Sequence, residues 1–168
     1  MRDGLLEETD GTWRLRFERT LRHSPEKVWR ALTEAEHLEA WFPTTIDGEL
    51  QAGAELSFRH RTRDLPPMEG EMIACEPPSL LEFRWGDDTL RFVLEPDGDG
   101  TRLTLTDTLE ELGKAARDGA GWHVCLDQLA MHLDGEQPSW TSVERWTEVH
   151  PAYVEEFGPE AATIGPPE

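Results

Sequence analysis

Three polar residues interrupt apolar strand faces and are the first places to look for chemistry. Arg19 falls beside Phe17 and Leu21, His60 beside Leu56 and Phe58, and Asp107 beside Leu103, Leu105 and Leu109. Residues two apart on a strand share a face, so each of the three points where its apolar neighbours point. A charge on such a face must be paired or hydrogen-bonded, because leaving it bare costs several kcal/mol. Their convergence would make a polar anchor in an apolar pocket, the usual form of a small-molecule site. His60 and Asp107 would serve as an acid and base if within hydrogen-bond reach. The structural alternative puts each residue at a strand end, or makes Arg19 and Asp107 an ion pair.

A second set lies on one helical stretch, where His123 and Asp127 stand four residues apart and His132 follows. Such a pair binds a metal when a third ligand arrives from elsewhere. Trp122, Leu126 and Leu129 define the inward stripe, which leaves His123 and Asp127 on a flank or outside. Cys75 and Cys125 form no CxxC pair and read as buried thiols in a reducing cytoplasm, with no signature pairing either to His60. Asp97-Gly98-Asp99-Gly100-Thr101 is a poor phosphate cradle: Pro96 removes a backbone donor and two carboxylates repel phosphate, so a hairpin turn is expected. No nucleophile elbow, zinc spacing or dinucleotide fingerprint is present, and neither cofactor nor metal is expected.

The elements that must position these residues are legible from periodicity. Thr12 to Leu21 alternates strictly and predicts a half-buried strand, after a polar, frayed segment over residues 1–11. Ser24 and Pro25 open a helix with Val28, Trp29 and Leu32 on one side; Thr33 and Glu36 form a second capping box before Leu38, Trp41 and Phe42. Strands are then expected at Thr44–Ile46, Ala54–Arg61, Met68–Cys75, Leu80–Trp85, Thr89–Glu95 and Thr101–Leu109, joined by Gly and Asp turns that imply antiparallel hairpins. A long helix runs from about Gly113 to Asp134, where Gly135 can take the left-handed cap. The aromatic tail carries Trp140, Trp146, Tyr153 and Phe157, and residues 159–168 read as disordered.

The expected fold is therefore α+β: a seven-stranded antiparallel sheet with two short helices after the first strand and a long C-terminal helix over its concave face, in one domain from 12 to 158. SPEKVWRALTEAEHLEAWFP, the Gly70 to Trp85 segment with Glu76-Pro77-Pro78, TRLTLTDTL and GWHVCLDQLAMHL resemble the START-like, or SRPBCC, superfamily. That superfamily has the helix-grip fold of the birch pollen allergen, and these phrases are most similar to the AHSA-type branch related to activators of a heat-shock chaperone ATPase. The resemblance implies a cavity between sheet and long helix. The residues placed there are Arg19, Phe58, His60, Phe83, Trp85, Phe92, Leu105, Asp107, Trp122 and Leu126. It also implies a small hydrophobic molecule as ligand, with a chaperone-regulating role or cyclase, dehydratase or hydrolase chemistry as alternatives.

Charge narrows the classes of partner. The chain has 35 acidic and 16 basic residues, a formal charge of −19 over 168 residues, and only two lysines, Lys27 and Lys114. Such a field repels nucleic acid and anionic membrane, and the short Arg59-His60-Arg61-Thr62-Arg63 cluster reads as a solvated strand end. No apolar run reaches the roughly 20 residues of a membrane span. A cytoplasmic monomer or homodimer is expected.

Overall fold

The computed structural model describes residues 4–61 and 63–165. Seven strands form one antiparallel sheet in the order β1-β2-β7-β6-β5-β4-β3. They are β1 (Leu5–Thr9), β2 (Thr12–Leu21), β3 (Glu55–Phe58), β4 (Met68–Glu76), β5 (Leu80–Trp85), β6 (Asp88–Asp97) and β7 (Gly100–Leu109). Between β2 and β3 lie the short helices α1 (Pro25–Thr33) and α2 (Ala35–Leu38). The long helix α3 (Ala115–Leu133) crosses the sheet, and α4 (Ser142–Phe157) packs on α3. This is the α+β helix-grip architecture expected from periodicity and turn chemistry.

The strand count matches expectation, but its membership differs. Leu5–Thr9, expected to be frayed, forms β1, because Asp10 and Gly11 adopt positive φ and turn the chain back onto β2. Thr44–Ile46 is not a strand; Thr44 and Asp47 make only isolated bridges, to His60 and Ser57. β3 stops at Phe58, short of the expected Arg61. Residues 159–165 are ordered against the body, contrary to expectation. Pro159–Ala162 forms a 3-10 turn, Ala161 is buried, and Ile164 N–H donates to Gly113 O at 3.0 Å. Residues 1–3, 62 and 166–168 lie outside the described residues.

Local chemistry explains the helix boundaries. Ser24 Oγ accepts from Lys27 N–H at the start of α1, with Pro25 in the first turn. The second capping box does not form: Thr33 Oγ1 donates instead to Trp29 O at 2.9 Å, and α2 starts after Glu34 with no side-chain cap. At the end of α3, Gly135 has φ of 74°, its N–H reaches His132 O, and Glu136 N–H reaches Met131 O. That left-handed stop is the one Gly135 predicts. On β4, Gly70 leaves room for its partner strand, since an added Cβ would overlap Arg84 O of β5.

Between sheet and α3 the space is filled with rings. Phe58, Phe83 and Phe92 stack in a row with centroids 5.7 and 6.2 Å apart. Trp41 and Phe42 reach onto this row from the segment after α2, and Trp41 Nε1–H is held by Ala31 O at 2.9 Å. Leu105 and Leu126 close the remaining sides and are buried. Phe58, Phe83, Phe92, Leu105, Trp122 and Leu126, six of the residues expected to line a cavity, therefore pack within one aromatic and aliphatic core.

Candidate functional site

The first turns of α3 bring three carboxyl groups together. Asp107 comes from β7, Asp88 from the start of β6, and Asp118 from α3, and one oxygen of each lies within 4.8 Å of the others. Residue pairing explains the first two: Asp107 lies opposite Leu90 in the β6–β7 register, two residues from Asp88. Asp107 is 1% exposed; its Oδ2 accepts from Trp122 Nε1–H at 2.9 Å, whereas its Oδ1 receives no donor among the described residues. Asp88 Oδ1 receives Lys114 Nζ at 2.7 Å and Glu110 N–H at 3.0 Å. Asp118 Oδ1 accepts from Arg117 Nε at 2.8 Å.

Burial and the neighbouring Asp88 charge push the Asp107 pKa well above the usual carboxylate range. Burial raises Asp118 too, against the pull of Arg117. Burial works against the Lys114 ammonium, but its contact with Asp88 and the surrounding carboxylates wins and raises its pKa. The arrangement sets two cations against three carboxyls and leaves Asp107 as the natural holder of a proton. These three carboxyls are also close enough to one another to hold a cation, a place that Lys114 fills in part. Trp85, Trp122 and Phe42 wall this end of the core, with the Trp85 and Trp122 rings 5.4 Å apart and Trp85 Nε1–H donating to Thr44 Oγ1.

The other predicted polar residues go elsewhere. Arg19 does not pair with Asp107: the β2–β7 register puts Leu15 opposite Asp107 and Arg19 opposite Leu103, four residues or about 13 Å further along. Arg19 Nη1 instead donates to Asp127 Oδ1 at 3.0 Å, and Arg145 of α4 reaches Asp127 Oδ2 at 3.2 Å. His60 lies beyond the end of β3, half-buried beside a surface concavity lined by Glu39, Thr45, Arg59 and Arg61. β4, β5 and β6 separate its strand from that of Asp107, so the structure does not form the His60–Asp107 acid and base. The Arg59 cluster is less free than expected: Arg59 binds Asp47, and Arg61 donates to Phe42 O and Thr44 O.

His123 corrects the expectation that it faces outward. It is 3% exposed, its Nδ1 lies 2.8 Å from Tyr153 Oη, and its Nε2 lies 3.6 Å from Asp127 Oδ2. Tyr153 Oη also accepts from Gly4 N–H, which ties the residue before β1 to α3 and α4. A helix covered by a sheet on one side and by α4 on another buries two faces, not one. Burial pushes the Cys125 thiol up to about 12 and also raises Cys75, in keeping with unreactive cysteines.

Comparison with known proteins decides the family. The family described as "Activator of Hsp90 ATPase homolog 1-like protein" matches residues 22–134. The chain belongs to this family. Solved structures agree on the fold of this AHSA-type domain. CalU16 from Micromonospora echinospora is 23% identical with a TM-score of 0.73, over 94% of this chain and 97% of that one. The conserved protein of unknown function EF2215 from Enterococcus faecalis is 23% identical with a TM-score of 0.74, over 91% and 89%. The BPP1335 protein from Bordetella parapertussis is 26% identical with a TM-score of 0.69, over 90% of each chain. Among curated proteins there is no match. No helix among the described residues is long and apolar enough to cross a membrane.

Proposed function

We propose that this AHSA-type domain binds a small, largely apolar molecule with one polar group, admitted between the sheet and the first turns of α3, with Asp107 as its anchor. The observation that carries this reading is the buried Asp107 carboxyl, whose Oδ1 receives no donor and whose setting is walled by Trp85, Trp122 and Phe42. A ligand hydroxyl or carbonyl would accept the hydrogen that the neutral acid carries at Oδ1 and offset the desolvation penalty of that buried group. Its apolar body would replace ring–ring contacts of Phe42, Trp85 and Trp122 with its own at about 25 cal/mol per Å² buried. Because the rings fill the interior of the free form, binding draws on an opened minor state, and apparent affinity falls by its population. Phe58, Phe83, Phe92, Leu105 and Leu126 form the floor that stays packed; Arg19 and His60 have no part in the anchor.

Native mass spectrometry of gently purified protein, with a tryptophan-fluorescence screen of lipids and aromatic polyketide-like compounds, tests the proposal. The expected result is a stoichiometric adduct that alters Trp85 and Trp122 emission and weakens in Asp107→Leu. No adduct and no emission change across the panel would reject it.

The family description favours a second reading, in which the domain regulates a chaperone ATPase. Its surface is strongly acidic, so such a partner would present a basic face. A coupled ATPase assay with the host chaperone at saturating domain decides; an unchanged rate would exclude it.

A further inference from the structure

At the opposite end of α3 lies a concavity of about 310 Å³ lined by Lys27, Arg30, His37, His132, Leu133 and Gly135. In a chain with 35 acidic residues and 16 basic ones, a pocket lined by two cations and two imidazoles with no carboxylate among its walls is unexpected. We infer that this pocket is an oxyanion site, built for a phosphate group rather than for the ligand proposed at Asp107.

Lys27 and the imidazole pair are held in place before any anion arrives, and Arg30 is free to turn toward it. Lys27 Nζ donates to Leu133 O at 3.0 Å and lies 3.1 Å from His23 Nδ1, which leaves one of its three N–H groups uncommitted. That contact also blunts the negative end of the α3 dipole, which would otherwise oppose an anion there. Arg30, one turn along α1, makes no ion pair among the described residues, so its planar fork of five donors is available. His37 Nδ1 lies 2.8 Å from His132 Nε2, so one proton sits between the two rings. Protonated His132 keeps that bond and gains an N–H at Nδ1 for the anion.

Charges facing the imidazole pair come from every neighbouring element. Lys27 and Arg30 stand on α1 and His37 on α2; His23 precedes α1 and holds Asp134 at 2.7 Å, Glu34 lies 3.9 Å from His37 Nε2, and a Glu36 carboxylate oxygen comes within 4.8 Å of a His37 ring nitrogen on the exposed side of α2. Burial, His37 and Lys27 lower the His132 pKa from the usual imidazole value. A bound dianion reverses that balance. Binding therefore takes up a proton, and affinity rises as pH falls through the histidine range.

Titrating the full chain with inorganic phosphate at pH 6.5 and pH 8, followed by histidine side-chain NMR, tests the site. The result expected is a His132 and His37 shift that saturates, tighter at pH 6.5 and weakened about tenfold or more in Arg30→Ala, as loss of a charge-assisted hydrogen bond predicts. Arg84→Ala removes the same charge from the exposed face of β5 and should leave binding unchanged. No saturable shift, equal loss in both variants, or acetate binding as tightly as phosphate would each overturn the assignment. Arg30 is exposed, and unchanged thermal unfolding of Arg30→Ala separates loss of binding from loss of fold.

Discussion

The two ends of α3 treat charge in opposite ways. At its N-terminal end, carboxyls of Asp88, Asp107 and Asp118 gather under the first turns, where the positive end of the helix dipole favours them. At its C-terminal end, Lys27, Arg30, His37 and His132 gather where the negative end favours cations. Both clusters agree with the dipole, yet one is sealed and the other open. Asp107 lies beneath Trp122 with its pKa pushed well above the usual carboxylate range, whereas the imidazole pair borders a concavity that solvent enters. The difference shows that local electrostatics sorts the residues by sign, and that packing then decides which of them can meet a ligand without rearrangement. The acidic end can act only if the helix–sheet seam opens; the basic end is ready as it stands.

Breaking the sealed end should have the largest effect. Trp122→Ala removes a buried ring and the only donor to Asp107 among the described residues, and should cost about 3–5 kcal/mol in urea unfolding. A loss under about 1 kcal/mol would mean that this end is already loose and the contrast is false. Lys114→Met comes next: Asp88 would lose its ammonium partner while remaining buried, for a cost of about 3 kcal/mol. If equilibrium unfolding shows no loss, the cluster does not need its internal cation.

Asp107→Asn sharpens the comparison through pH. The folded pKa of Asp107 is raised, so its contribution is fully present below the unfolded value and is lost as pH rises through the folded one. The amide keeps an acceptor for Trp122 but cannot ionise. The variant should therefore gain on the parent protein as pH rises above the ordinary aspartate range. Parallel stability curves for the two proteins above that range would contradict a retained proton. Smallest of all is the effect on stability at the open end: Arg30→Ala should stay within about 0.5 kcal/mol, since its side chain is exposed. A larger thermal shift would make Arg30 part of the scaffold.

The helix-grip fold was legible because its signals are local. Strict alternation over Thr12–Leu21, the Ser24-Pro25 start, the Trp122–Leu126–Leu129 stripe and the Gly135 stop each need only a few neighbouring residues, and all four stand in the structure. The polar sequence of β1 conceals a strand, since an edge strand buries little and depends on the Asp10-Gly11 turn. The site was half legible. Asp107 stood out as a carboxyl on an apolar face, and its partner Trp122 was named separately. Asp88 and Asp118 gave no signal, because one reads as a turn residue and the other as a helix surface. Only the stacking of α3 over β6 and β7 brings them together. His123 was misplaced for a related reason: one apolar stripe describes a helix with one covered face, and α4 covers a second.

The most direct test of the account is the titration of the Asp107 carboxyl by NMR on protein with carbon-13 in its aspartate side chains, assigned through Asp107→Asn. The account predicts that one aspartate resonance keeps the shift of a protonated acid at neutral pH, is absent in the variant, and moves with Trp122. If Asp107 titrates with the exposed aspartates in the ordinary acid range, its carboxyl is ionised at neutral pH and the sealed neutral anchor does not exist.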